Sequence, residues 1–175
     1  MKLPEHIRTE VFEMIWAKAD EVGWLHLDSS EKSRLYSYWT EAEAIGGRLG
    51  GYMDPRQVRV YLKDTVLKSY SIERMSDPTM ARRVLRIEDG AIATEIYTKP
   101  HGQKLDDGRI IAWSNASDWK LTLFAVFERA YPSPGSVPFG VVLIPNTGKF
   151  RTLEDRRLVE EAGRRLGIQN IVWLD

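Results

Sequence analysis

PFGVVLIPNTGKFRTLEDRRLVEEAGRRLGIQNIVWLD, residues 138–175, is the stretch that decides the fold. Within it FGVVLI (139–144) and IVWL (171–174) are apolar at every position. Neither face of either run suits water, which is how a central strand reads. The segment between them carries helix punctuation. Thr152 is placed to cap a start, and Gly167 lies just past the end, followed by apolar Ile168, as a Schellman-type stop requires. The spacing predicts two adjacent parallel strands joined by a 152–166 helix.

Upstream the pattern changes to short strands. VLRI (84–87), a turn at Glu88-Asp89-Gly90 and AIATEIY (91–97) predict a hairpin. Turns follow at Lys99-Pro-His-Gly and Asp106-Asp107-Gly108, and RIIAW (109–113) reads as the third strand. Ser114-Asn-Ala-Ser117 leads into DWKLTLFAVFERAY (118–131), whose middle is apolar nearly all round; it reads as a buried helix capped by Ser117. The order is αβββαβαβ, a mixed sheet flanked by helices in the α+β or α/β class.

The N-terminal part reads as helices. Ile7, Val11, Ile15 and Val22 line one face of a helix over 4–22, stopped by Gly23. Asp28 starts a second helix over 30–44, and Asp54-Pro55 a third with Val58, Tyr61, Leu62, Thr65 and Val66 as its buried stripe. The glycine-rich IGGRLGGY (45–52) lacks both a preceding strand and the Lys-Ser/Thr end of a phosphate loop, so it reads as a turn or a tight helix approach. Asp77-Pro78 marks a further helix start. The chain divides there into a helical part, 1–76, and an α/β core, 77–175, expected to share their core as one compact unit.

Composition narrows the function. The 175 residues hold 25 Lys plus Arg and 25 Asp plus Glu, so any nucleic-acid contact needs a local patch. Cysteine is absent, which excludes disulfides, zinc-thiolate sites and cysteine nucleophiles. The N-terminus has acids scattered through it, unlike a signal peptide, and no apolar run approaches the roughly 20 residues of a bilayer span. A cytoplasmic protein without a membrane partner is expected. No nucleophile elbow, HExxH or EF-hand pattern is present.

Four groups of residues suit chemistry or binding. Glu95, Lys99 and His101 gather about one strand end with Asp106 and Asp107 just beyond, and strand alternation puts Glu95, Tyr97 and Lys99 on one face. Glu95 and Asp107 are the candidate metal ligands. Asp118 and Lys120 pair a carboxylate with a lysine at a helix start. Arg156, Arg157, Arg164 and Arg165, with Arg82, Arg83 and Arg109, suit a phosphate-binding surface, because guanidinium groups pair phosphate oxygens bidentately. Trp113 and Trp119 bracket a polar loop and suit a recognition pocket or base stacking.

Residues 84–175 resemble the core of the PD-(D/E)xK, or restriction-endonuclease-like, nucleases. The resemblance rests on the order of elements, on the buried helix, on the strand ending in Leu-Ile-Pro and on the arginine-rich helix closing as RRLGI. It implies an acid on one strand and Asp/Glu-x-Lys on the next, holding a divalent metal while the lysine assists the attacking water. RIIAW carries neither acid nor lysine at those places. Asp118-Trp-Lys120 has the letters but sits at a helix start, and Glu95-Ile-Tyr97 has tyrosine for lysine, with Lys99 two positions on. The expectation is a nucleic-acid-associated binding or accessory protein with a degenerate nuclease-like core, in DNA or RNA processing or in defence, without a cofactor. One alternative is a nuclease using Glu95, Lys99 and nearby acids with Mg or Mn. Another is an immunity or antitoxin-like protein that blocks a protein partner. Oligomeric state is left open.

Overall fold

The computed structural model of the chain describes residues 3–146 and 148–174. The chain forms two compact units, one ending at Arg74 and one beginning at Met75.

The first unit is helical. α1 (Glu5–Glu21) ends ahead of Gly23, whose φ of 63° turns the chain into the short 3-10 turn Trp24–His26. α2 (Ser29–Glu41) opens on a capping box, in which the Asp28 carboxylate accepts from the Glu31 N–H and the Glu31 carboxylate from the Asp28 N–H. The glycine-rich stretch is itself helical: a π turn (Glu43–Gly47) runs into a single turn, α3 (Arg48–Gly50). A Cβ on Gly46 would lie 1.7 Å from the Thr40 carbonyl oxygen, so the close return of the chain excludes any side chain there. α4 (Pro55–Tyr61), capped by Asp54, passes through a second π turn (Leu62–Val66) into α5 (Leu67–Ser76). Val11, Ile15, Ala19, Val58, Leu62 and Val66 are buried together with Trp24 and Trp39, whose rings lie 5.6 Å apart.

The second unit is a five-stranded sheet with helices packed on it. Its elements are α6 (Thr79–Val84), β1 (Ala93–Thr98), β2 (His101–Leu105), β3 (Arg109–Asn115), α7 (Trp119–Ala130), β4 (Val137–Ile144), α8 (Leu153–Arg165) and β5 (Asn170–Trp173). The strands lie in the order β1-β2-β3-β4-β5. β1, β2 and β3 pair antiparallel, and β3, β4 and β5 pair parallel. The mixed sheet and the parallel β4–α8–β5 unit are as the sequence predicts. Val141, Val142, Leu143 and Ile144 are each 0% exposed. Val141 and Leu143 pack with Leu123 and Val126 of α7 and Val159 of α8. Alternation turns Val142 and Ile144 to the other face, the face on which a Cβ at Gly140 would meet Leu85. Thr152 accepts from the Asp155 N–H at 3.4 Å, and Gly167, with φ of 75°, closes α8 through Ile168 N–H to Gly163 O at 3.0 Å.

Thr65, expected in the buried stripe of the third helix, is exposed, and four expectations for the second unit fail for identifiable reasons. VLRI is not a strand; it is the end of α6 and the turn after it. Arg86 takes the left-handed position, φ 55°, and the Ile87 N–H reaches back to Arg82 O at 2.8 Å. This is a Schellman-type stop without the glycine that would have advertised it. The hairpin therefore forms between β1 and β2 about Lys99–Pro100, joined by a cis peptide bond. IVWL is an edge strand of intermediate burial, because nothing pairs beyond β5. Ser117 does not cap α7, since Asp118 occupies that position and the Ser117 N–H donates instead to Asn146 at 3.4 Å. α7 is not buried all round: Leu121, Phe124 and Tyr131, the residue after its last turn, are 60%, 54% and 82% exposed.

Candidate functional site

The β1–β2 hairpin brings four polar side chains together. Glu95 is opposite Lys104 and Tyr97 opposite Gly102, so Glu95, Tyr97 and Lys104 share one face of the sheet. The Tyr97 hydroxyl donates to Glu95 at 2.8 Å, and the Lys104 ammonium lies 3.5 Å from the same carboxylate. The Arg129 guanidinium, from α7, lies 4.0 Å over the Tyr97 ring and donates to the carbonyls of Lys99 and Pro100, each at 3.2 Å. A Cβ on Gly102 would be 3.1 Å from Arg129 Nη1 and 2.5 Å from Ile111 O, so only glycine admits the arginine across the hairpin.

The electrostatics of this group follow from its bonds. The Tyr97 hydrogen bond holds the Glu95 carboxyl below the usual carboxylate range, with Lys104 adding to the effect. Burial, and then the bond to Glu95, push the Tyr97 hydroxyl up to about 12. Burial lowers Arg129. Glu95 is thus a fixed anion near neutral pH. A general base works best with a pKa close to the operating pH, and this carboxylate is moved the wrong way for that role.

The other members of the strand-end group are elsewhere. Lys99 is in the turn, not on the strand, and does not share the face of Glu95 and Tyr97. His101 is on the opposite face, its ring stacked 6.2 Å from Trp113, and burial lowers its pKa. Asp107 is taken up by Arg109, whose backbone N–H donates to it at 3.0 Å and whose Nε donates at 2.6 Å. Arg109 also pairs with Glu88 and lies 5.1 Å over Phe139. It is an internal counter-ion more than a free phosphate ligand. A cleft of about 310 Å³ runs between Lys104, Asp106, Asp107 and Ser136, and Glu95 is outside its lining. Among the described residues no group of three or more His, Asp or Glu side chains is placed to hold a metal ion.

The remaining candidates separate in the same way. Trp113 is 2% exposed and its indole N–H donates to Met75 O at 2.6 Å. It is a core residue and presents no face to a base. Trp119 is partly buried, with the exposed Lys120 ammonium 5.6 Å over its ring, while Asp118 is exposed at the helix start. On α8, Arg164 and Arg165 both bond Glu161, at 2.6 and 2.8 Å. Arg156 donates to Phe150 O at 2.8 Å and lies 4.8 Å over Trp173. Arg157 is exposed. The sequence reading missed Lys104, whose signal is the cross-strand register, Arg129, which reaches the hairpin from α7, and Lys149 and Arg151. These last two occupy the 3-10 turn Gly148–Arg151 just ahead of α8, where the Phe150 carbonyl ties the turn to Arg156.

Comparison of the chain with protein-family models, with curated proteins and with solved structures finds no match. Among the described residues no helix is long and apolar enough to cross a membrane.

Proposed function

We propose that this chain is a cytoplasmic binding or accessory protein, without catalysis of its own, that works on nucleic acid in a processing or defence assembly. What carries this reading is the dispersal of the groups a nuclease would have to assemble. Glu95 is bonded to Tyr97 and Lys104, Asp107 to Arg109, and Asp118 with Lys120 begins a different element. A hydrolytic metal site needs two or more carboxylates at about 2.0–2.6 Å from one cation, each with oxygens free to bind it. The αβββαβαβ order of residues 79–173 supports the nuclease-like half of the reading. Support for phosphate contact comes from the start of α8, where Lys149 and Arg157 are exposed beside the Phe150–Arg156 bond. The exposed apolar side chains Leu121 and Phe124 of α7, with Tyr131 just after it, favour a protein partner as the second reading, that of an immunity-like blocker.

Fluorescence anisotropy with labelled single- and double-stranded DNA and RNA tests the nucleic-acid reading. Affinity is expected to be similar across unrelated sequences and to fall steeply with salt. Glu161 neutralises Arg164 and Arg165, so their replacement by alanine should change little. Lys149→Ala with Arg157→Ala should weaken binding and reduce the salt slope by about 1 for each phosphate-pairing cation removed. A parent protein with no affinity at low salt would remove the nucleic-acid reading and leave the protein-partner one.

A further inference from the structure

We propose that the outer face of α7 pairs two copies of this chain antiparallel, about a twofold axis through Phe124. This goes beyond the nucleic-acid reading and does not depend on it. The face is apolar where a surface helix is ordinarily polar. Leu121 and Phe124 are 60% and 54% exposed, and the rings of Phe124, Phe127 and Tyr131 follow one another at 6.1 and 5.8 Å. A contiguous exposed apolar patch of this kind marks an interaction surface.

The charges select the occupant. In an antiparallel helix pair with its twofold through Phe124, each residue k places after it faces the partner's residue k places before it. Phe124 then meets Phe124, and Leu121 meets the partner's Phe127. Lys120 and Glu128, both exposed, stand four residues to either side. Lys120 therefore meets the partner's Glu128, and the symmetry makes the pair twice. A parallel pairing would set lysine on lysine and glutamate on glutamate. The face is thus complementary to itself in one direction only, as an isologous interface requires. A contact centred on one helix per subunit falls at the small end of interface sizes, below about 1,200 Å² in total, so association in the micromolar range is expected.

Sedimentation equilibrium of the full chain, from micromolar to roughly millimolar concentration, tests this directly. The parent is expected to be a concentration-dependent dimer, and Phe124→Asp a monomer with an unchanged thermal melt. Lys120→Glu and Glu128→Lys should each raise the dimer Kd by about tenfold or more, because each sets two like-charge pairs face to face. The double variant, with the charges exchanged, should return to within about threefold of the parent. A parent that stays monomeric throughout would overturn the proposal and assign the face to another protein or a lipid. So would a dimer indifferent to Phe124→Asp, or a double variant no tighter than the singles.

Discussion

Val142→Asp is expected to leave the second unit largely unfolded at room temperature. Val142 is 0% exposed in the interior strand β4, in register with Trp113 of β3. Its neighbours along the strand, Val141 and Leu143, are equally buried. A carboxylate there has no counter-ion in prospect and must either desolvate or take up a proton. Either course costs several kcal/mol, out of a total stability of about 5–15 kcal/mol for a domain. Ile96→Asp is the matched control. Ile96 lies on the edge strand β1 and is 74% exposed, so its replacement should change stability by no more than about 0.5 kcal/mol. Urea denaturation followed by circular dichroism measures both. A Val142→Asp protein with the parent's midpoint would contradict the placement of β4 inside the sheet, between β3 and β5.

Trp113→Ala should destabilise by about 3–5 kcal/mol, the cost of emptying a large core position. The effect is compounded because the Met75 carbonyl, which accepts from the indole N–H at 2.6 Å, is left without that donor. Trp119→Ala, at a partly exposed position, should cost at most about half as much. The two tryptophans look alike in sequence, bracketing one polar loop, and the comparison separates core from surface. Equal effects from the two replacements would contradict the burial described for them.

How far the sequence could be read depended on whether the deciding residues were local. The β4–α8–β5 unit was legible because its signals lie inside one stretch: continuous apolar runs, Thr152 at the start of the helix and Gly167 at its stop. The helix starts at Asp28 and Asp54 are legible for the same reason. The first hairpin was misplaced because Arg86 performs the left-handed stop that glycine normally signals. With that stop hidden, Val84-Leu-Arg-Ile reads as a short strand. Burial by partners distant in sequence was out of reach. The exposed side of α7 and the edge position of β5 depend on which elements lie beyond them, and no residue within either run records that.

The candidate site shows the same division. Glu95 was identified as a reactive-looking carboxylate, but its partners are set by pairing: Lys104 through the β1–β2 register, and Arg129, over Tyr97, through α7. Period-two alternation carries Lys99 onto the face of Glu95 only if the strand continues past Thr98, where the chain turns. Asp107 appeared as a free acid because its bonds to Arg109, two residues away, are indistinguishable in sequence from an ordinary Asp-Gly turn.

The central claim, binding without catalysis, is tested most directly by incubating the purified chain with single- and double-stranded DNA and RNA in magnesium and in manganese. Intact substrate is expected in every combination. The melting shift at millimolar metal should be equivalent to less than about 1 kcal/mol, since among the described residues no group of three or more His, Asp or Glu side chains is placed to hold a cation. Cleavage by the parent that disappears in both Glu95→Gln and Lys99→Ala, with both variants folded, would contradict the claim and establish the chain as a metal-dependent nuclease.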